Sequence, residues 1–138
     1  MTNWGDIDVL LVDMPPGTSD VFLTVMQLLP IDGIITVSTP QDLVEMIVGK
    51  AINLADMMNV NVLSIVENMS YFECADCKKK HEIFGKSKVE EVAKKYGIKT
   101  TDKLPIDTNF AKLCDEGKIA DFDTKDILNN TTKLIKSL

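Results

Sequence analysis

The sequence predicts an α/β protein built on a doubly wound, mainly parallel sheet. Three short apolar runs support this fold class, at residues 8–12, 33–38 and 60–66, and each run is continuous rather than alternating in polarity. Continuous apolar runs are typical of strands that helices cover on both faces. Helical patterns separate the runs, and parallel strands need such crossover connections.

The first half of the chain is expected to hold two strands and two helices. The strand at 8–12 ends at Asp13, and a helix at 20–28 leads to the strand at 33–38. A longer helix is expected to follow, because Thr39 is a suitable N-cap and a proline occupies the first helical position after it. The third strand then starts the second half of the chain.

The second half is expected to continue in the same manner and to complete the order β-α-β-α-β-loop-α-β-α-α. In the helix predicted for 87–96 the apolar residues fall on one face, namely Val89, Val92, Ala93 and Tyr96. The other expected elements are a protruding loop at 78–85, a short strand closed by Leu104, and helices at about 108–116 and 124–137.

Composition limits the function classes. The chain has 138 residues, 45% of them hydrophobic and 26% charged, which suits one domain with a real core. The net charge of -6 argues against a general nucleic-acid binder or a binder of anionic membranes. No apolar run is long enough to span a bilayer, and no basic region followed by an apolar one opens the sequence. We therefore expect a cytoplasmic protein that contacts neither nucleic acid nor membrane.

Candidate ligand-binding residues fall where the predicted strands end, because ligands of open parallel sheets bind at the carboxyl ends of the strands. Asp13 follows a predicted strand and offers the oxygen ligand that Mg²⁺ prefers. Gly17 would let a backbone N–H approach a phosphate oxygen. A purely structural turn, capped by Asp13, is the alternative. The four strand ends fall at residues 13–18, 39–42, 67–70 and 104–107.

Two cysteines, Cys74 and Cys77, stand three positions apart in the stretch FECADCKKKH. Two thiolates are half of the ligand set of a tetrahedral zinc ion or a [4Fe–4S] cluster, so the pair invites a partner. The lysines at 78–80 are expected to lower the thiolate pKa values and to offset cluster charge. Three other interpretations stay open: a zinc site that includes His81, a thioredoxin-like redox pair, and a plain structural loop.

Four segments taken together carry a family resemblance. WGDIDVLLVDMPPGTSD, TPQD, VENMSYFECADC and LPID, in this order and spacing, closely resemble the Mrp/ApbC family of iron–sulfur cluster carrier ATPases. This family belongs to the P-loop NTPases, which also include MinD and ParA. The resemblance extends from Trp4 to about Gly117. Residues 67–77 are its most discriminating part, because MinD and ParA proteins lack a cysteine pair there.

The resemblance implies roles at a predicted nucleotide site. Asp13 matches the acidic residue that ends the Walker B strand and helps organise Mg²⁺, and Gly17 lies in the switch segment that senses the γ-phosphate of ATP. Asn68 matches an asparagine that binds the adenine edge. Pro105 and Asp107 match residues that line the base. Chemically, an amide can donate and accept hydrogen bonds toward adenine.

The resemblance also implies a metal centre shared by two subunits. Cys74 and Cys77 match the cluster-binding pair of the family, in which each subunit of a homodimer contributes one pair to a labile bridging cluster. The expected cofactor is an iron–sulfur cluster, [4Fe–4S] in type, with zinc as a substitute. Apoproteins that receive the cluster are the expected partners.

One departure from the family pattern concerns ATP hydrolysis. The phosphate-binding loop G-x-x-x-x-G-K-[ST] precedes the Walker B strand in this family, and the present sequence begins just before that strand. Gly85-Lys86-Ser87 resembles the end of such a loop, but Lys80 stands where the first glycine belongs. We therefore expect residues 1–138 to be the C-terminal part of one P-loop NTPase domain, inactive alone, with a CxxC loop at about 70–86. A MinD/ParA-like positioning ATPase and a zinc-binding interaction module are the alternatives.

Overall fold

The computed structural model describes residues 3–15, 20–41, 44–124 and 127–138. The chain divides into two compact units, Met1–Pro30 and Ile31–Leu138. In the described parts of the chain, no helix is both long enough and apolar enough to cross a membrane.

The first unit contains helix α1 (Asp20–Leu28), which confirms the helix predicted for 20–28. The strand predicted for 8–12 is wrong, because this segment forms no strand and the side chain of Leu11 is 73% exposed. A strand is held by lateral hydrogen bonds, and no described strand pairs with this segment. The apolar pattern alone therefore does not produce a strand here.

The second unit confirms the other predicted helices and strands, but with different bounds. Strand β3, which lies inside the predicted loop, the 3-10 turn and the last seven residues of β2 were not predicted. The helix starts predicted at Thr39 and at residue 124 are wrong, because residues 39–41, 124 and 127–128 are not helical. In chain order the elements are β1 (Ile34–Ser38), α2 (Val44–Met57), β2 (Val62–Glu73), β3 (Lys80–His81), α3 (Val89–Lys95), β4 (Thr101–Pro105), α4 (Thr108–Asp115), a 3-10 turn (Ile119–Asp121) and α5 (Asn129–Ile135).

Strand β2 is the central strand of the sheet. Strands β1 and β4 pair with it on either side, and both run parallel to it. The short strand β3 pairs with the end of β2 in the antiparallel direction, with Phe72 opposite His81. The protein is thus a mixed α/β fold with a mostly parallel sheet, as the sequence predicted.

The hydrophobic core lies on the face of the sheet that α2 and α3 cover. Ile65 of β2 is fully buried at its centre, and the α3 face predicted from the sequence packs there. Helix α2 packs closely against Tyr96, the residue that follows α3. A Cβ added at Gly49 of α2 would lie only 2.5 Å from the hydroxyl oxygen of Tyr96. The buried cluster comprises Val48, Ile52, Ile65, Val89, Val92 and Ala93.

Helix α5 is fixed to the sheet by a buried polar clamp. The carboxylate of Asp102 in β4 accepts hydrogen bonds from the backbone N–H groups of Asn130 at 3.3 Å and Thr131 at 2.7 Å. The Thr131 hydroxyl also lies 2.7 Å from that of Ser64 in β2. Leu128, at the N-cap position, has a left-handed backbone and gives no side-chain cap. A residue from another element thus caps α5.

Replacing Asp102 by alanine is expected to lower the free energy of unfolding by about 1–2 kcal/mol, because two N–H groups of α5 lose their acceptor. Urea denaturation followed by circular dichroism measures this loss. Asp56→Ala is the matched control, since Asp56 is an exposed carboxylate in α2 without a described hydrogen bond. Equal stability of the two variants would contradict the clamp.

Candidate functional site

Strand β2 carries one predicted site residue and leads directly into another. Asn68 lies in its second half, and Cys74 follows its last residue, Glu73. The position of β2 therefore sets the positions of the predicted nucleotide contact and of the predicted cluster ligand. This strand pairs with β1 on one side and with β4 on the other, and Glu67 is part of both pairings.

A kink at 68–70 interrupts the pairing of β2 with β4. The register shifts between Glu67 and Tyr71, and Met69 adopts a left-handed backbone with φ 55°. Glu67 is fully buried, and the hydroxyl of Ser70 donates a 2.6 Å hydrogen bond to its Oε2 atom. Glu67 is thus a buried carboxylate held by a local hydrogen bond.

The kink also orients Asn68. Its side-chain Oδ1 accepts a 2.9 Å hydrogen bond from the backbone N–H of Met69. The amide oxygen is therefore engaged locally. The Nδ2 group, which makes no hydrogen bond within the described residues, remains as a donor toward a ligand.

The core-facing side of the sheet contains polar atoms at the carboxyl ends of β1 and β2. Ser38 is opposite Glu67 in the parallel register, and Thr36 is opposite Ile65, so these side chains share one face. Thr36 Oγ1, Ser38 Oγ and Glu67 Oε1 are buried without a hydrogen-bond partner among the described residues. The sequence signal was two hydroxyl residues in the otherwise apolar strand IITVS, which the sequence analysis missed.

Pro105 lies on β4, which pairs with the strand that carries Asn68. Pro105 is opposite Tyr71, three residues beyond Asn68, and the backbone N–H of Ile106 bonds to the carbonyl oxygen of Tyr71 at 2.7 Å. Asp107 has a structural role, since its Oδ1 accepts hydrogen bonds from two backbone N–H groups at the start of α4. Whether Asp107 also lines a base stays a prediction.

The predicted Mg²⁺ and phosphate residues belong to the first unit. Asp13 is exposed and follows no strand, and Gly17 lies outside the described residues. No group of three or more histidine, cysteine, aspartate or glutamate residues in the described ranges could hold a metal ion. The roles of Asp13 and Gly17 stay predictions.

The cysteine pair lies at the tip of a short hairpin made by β2 and β3. The backbone N–H of Cys74 bonds to the carbonyl oxygen of Lys79, and the N–H of Lys78 bonds to the carbonyl oxygen of Cys74, each at 3.0 Å. Lys78 adopts a left-handed backbone, which closes the turn. Cys74 is half-buried and Cys77 is exposed, and both thiols are free.

The turn itself favours the thiolate of Cys74. The backbone N–H groups of Cys77 and then Asp76 are the main causes that lower the pKa of Cys74, followed by the thiol of Cys77. Lys78 contributes least to this lowered pKa, so the expected effect of the lysines is minor beside that of the backbone. The ammonium group of Lys80 lies 4.2 Å from the centre of the Tyr71 ring.

These features define an α/β protein that presents two thiols on a hairpin beyond the carboxyl end of its central strand. The chain belongs to the ParA family described as NUBPL iron-transfer P-loop NTPase, whose family model matches residues 1–138.

Curated relatives agree with this family. An iron–sulfur cluster carrier protein of Clostridium perfringens is 47% identical over 121 residues, which are 88% of this chain and 42% of the relative. The iron–sulfur cluster transfer protein NUBPL of Dictyostelium discoideum is 42% identical over 85% of this chain and 36% of the relative. The chain thus spans less than half the length of these relatives.

A solved structure shares the fold. A nucleotide-binding protein of Archaeoglobus fulgidus in complex with ADP superposes with a TM-score of 0.83 at 44% identity. The match covers 91% of this chain and 51% of that protein.

The lowered pKa of Cys74 predicts selective alkylation. Iodoacetamide should modify Cys74 with a pH midpoint below that of an ordinary cysteine, because only the thiolate reacts. Peptide mass spectrometry across a pH series measures the rate. The Cys77→Ala variant tests the cause, because it keeps the backbone N–H groups and removes only the neighbouring thiol. In this variant the pH midpoint of Cys74 alkylation should stay below that of an ordinary cysteine. A midpoint at the ordinary value would show that the Cys77 thiol, and not the backbone, lowers the pKa of Cys74.

Proposed function

We propose that this chain is the cluster-binding part of an iron–sulfur cluster carrier, with the cluster as its cargo. The observation that carries the proposal is the hairpin, which presents Cys74 and Cys77 three positions apart at one turn, the first thiol half-buried and the second exposed. The names of the curated relatives support it, since they are iron–sulfur cluster carrier or transfer proteins.

The hairpin supplies half of a ligand set, so two copies of the chain complete it. Four thiolates from two hairpins can hold one bridging [4Fe–4S] cluster, and the homodimer then forms through the CxxC region. Within one chain the described residues offer no third ligand beside the thiols, so a zinc-binding module gains no support. Zinc can still replace the cluster at the shared thiolates.

Transfer of the cargo to an apoprotein proceeds by ligand exchange without a change of redox state. A thiolate of the acceptor forms a new Fe–S bond as the bond from Cys77 breaks, and the released Cys77 thiolate takes a proton from solvent. Cys77 suits the leaving position because it is exposed. Free cysteines fit a reducing compartment, and we place the protein in the cytoplasm.

Nucleotide binding and hydrolysis belong to the whole protein in this proposal. Residues 1–138 represent the C-terminal part of a P-loop NTPase domain, in which the Nδ2 group of Asn68 donates to adenine and Pro105 contacts the ring. Asp107 borders the base from the start of α4. Asp13 helps to organise Mg²⁺, and Gly17 lies in the segment that senses the γ-phosphate. The ADP complex of the Archaeoglobus protein supports this assignment.

Anaerobic reconstitution with iron and sulfide tests the cluster. We expect broad absorbance at about 400 nm, typical of thiolate-bound iron–sulfur clusters, together with a dimeric mass in native mass spectrometry. Cys74→Ser/Cys77→Ser should lose both signals, because no thiolate remains in the hairpin.

The matched control is Cys114→Ser. Cys114 is also a free and exposed cysteine, and it lies in α4 outside the hairpin. This variant should keep the absorbance and the dimeric mass. Equal loss in both variants would show nonspecific iron binding, and a coloured monomer would exclude the bridging arrangement.

Asn68→Ala tests the nucleotide edge in the full-length natural protein. The variant should bind ADP about tenfold more weakly, because one hydrogen bond is lost and its partner on adenine is left unpaired. Calorimetric titration with ADP and GDP measures the effect, and the preference for ADP over GDP should shrink. Asn61→Ala, an exposed asparagine at the other end of β2, should change neither affinity. An unchanged preference in Asn68→Ala would remove Asn68 from the adenine site.

A further inference from the structure

The hairpin and the segment after it present an exposed surface beside the thiols. Every residue from 75 to 86 is exposed, including two large apolar side chains, Ile83 at 59% and Phe84 at 41%. Lysines flank them in the sequence. We define the hairpin patch as Lys79, Ile83, Phe84 and Lys86.

The structure holds this patch in place. The backbone N–H of Gly85 bonds to the carbonyl oxygen of Glu82 at 3.2 Å. Gly85 has a positive φ of 99°, and a Cβ at this position would lie 3.5 Å from the carbonyl oxygen of Pro40. The segment therefore rests against the loop after β1, and a defined turn holds its two apolar side chains exposed to solvent.

The charge of this region is opposite to that of the remaining chain. Residues 73–88 contain five lysines and three carboxylates, whereas the remaining sequence contains ten basic and eighteen acidic residues. A local positive region on an acidic protein attracts a negatively charged partner to one place and repels it elsewhere.

Two of these lysines are available to such a partner. Lys79 and Lys86 form no ion pair within the described ranges. Lys80 lies over the Tyr71 ring, and Lys78 is 4.0 Å from Glu73. Lys79 and Lys86 are therefore exposed charges without a described carboxylate partner.

We propose that the hairpin patch is the docking surface for an acidic apoprotein that accepts the cluster. This inference rests on the proposed carrier function and names the chemistry of its partner: carboxylates that pair with Lys79 and Lys86, next to an apolar spot that covers Phe84. Lys79 is two positions along the chain from Cys77, and Lys86 is nine positions from it. A partner held there has its own thiols close to Cys77.

An acidic protein fits the patch better than other partners do. Nucleic acid and anionic membranes present an extended negative field, which the acidic remainder of this chain opposes. Exposed apolar side chains next to charges that set orientation are typical of protein interfaces.

The test separates docking from cluster binding by using the chain without a cluster. The probes are an acidic apoferredoxin and the same apoferredoxin with its carboxylates amidated, titrated calorimetrically at low and at physiological ionic strength. We expect salt-sensitive binding of the acidic probe alone. Lys79→Glu/Lys86→Glu should weaken it about tenfold or more, and Phe84→Ser should weaken it while keeping the salt dependence.

The matched control is Lys133→Glu/Lys136→Glu. It makes the same charge change at Lys133 in α5 and at its C-cap residue Lys136. Helix α5 contacts the amino end of β4 through Asn130 and Thr101. The control should change the affinity less than about twofold. Thermal melts of all variants verify that each is folded. If either charge-reversal variant is unfolded, Phe84→Ser tests the patch in its place.

The outcomes distinguish the two proposals. Equal affinities of Lys79→Glu/Lys86→Glu and its control, or equal binding of both probes, would overturn the docking surface, even where cluster loading succeeds. Failure of the wild-type chain to load a cluster would overturn the carrier function alone if acidic apoferredoxin still binds at the patch. Duplex DNA and anionic phosphatidylglycerol vesicles are the competing probes. If either binds more tightly than apoferredoxin and its binding depends on the same lysines, the partner is a polyanion and the docking of an acidic protein is overturned.

Discussion

The pairing of β2 on both sides is the constraint on which the rest of the structure depends. A central parallel strand exchanges hydrogen bonds with two neighbours, so its direction and register are fixed along its length. In this protein β1 and β4 fix β2 as far as Glu67, and Ile65 anchors it in the core. Asn68 and the cysteine hairpin follow on the same strand, so the sheet sets the position of both.

The regular pairing of β2 with β4 is interrupted at the kink after Glu67, where the candidate site begins. Burying a carboxylate is costly unless it is hydrogen-bonded, and Ser70 satisfies one of its oxygens. This contact spans Met69, whose left-handed backbone departs from strand geometry. The kink thus places the Asn68 amide at the strand edge while β2 continues toward Cys74. The strand thus continues past Asn68, the predicted nucleotide contact, to the thiols.

Sequence patterns predicted the elements whose stability is local or whose faces are uniformly apolar. The α3 face and the three pairing strands of the second unit follow from such patterns. The failures have tertiary causes. Residues 8–12 have the apolar run of a strand but no described partner, β3 is a lysine-histidine pair that forms only against β2, and Asp102 caps a helix 28 residues away. Single-sequence periodicity carries no information on such long-range partners.

A cluster carrier has to bind its cargo and also release it, and the two cysteines differ in the way that this requirement demands. Cys74 follows the paired strand directly, is half-buried, and receives backbone N–H groups that stabilise its thiolate. Cys77 is exposed at the turn. The exposed ligand is within reach of an incoming thiolate, whereas the half-buried ligand is shielded from attack. In the proposed carrier, exchange should therefore begin at Cys77, while Cys74 keeps the cluster attached until the acceptor has formed its first bond.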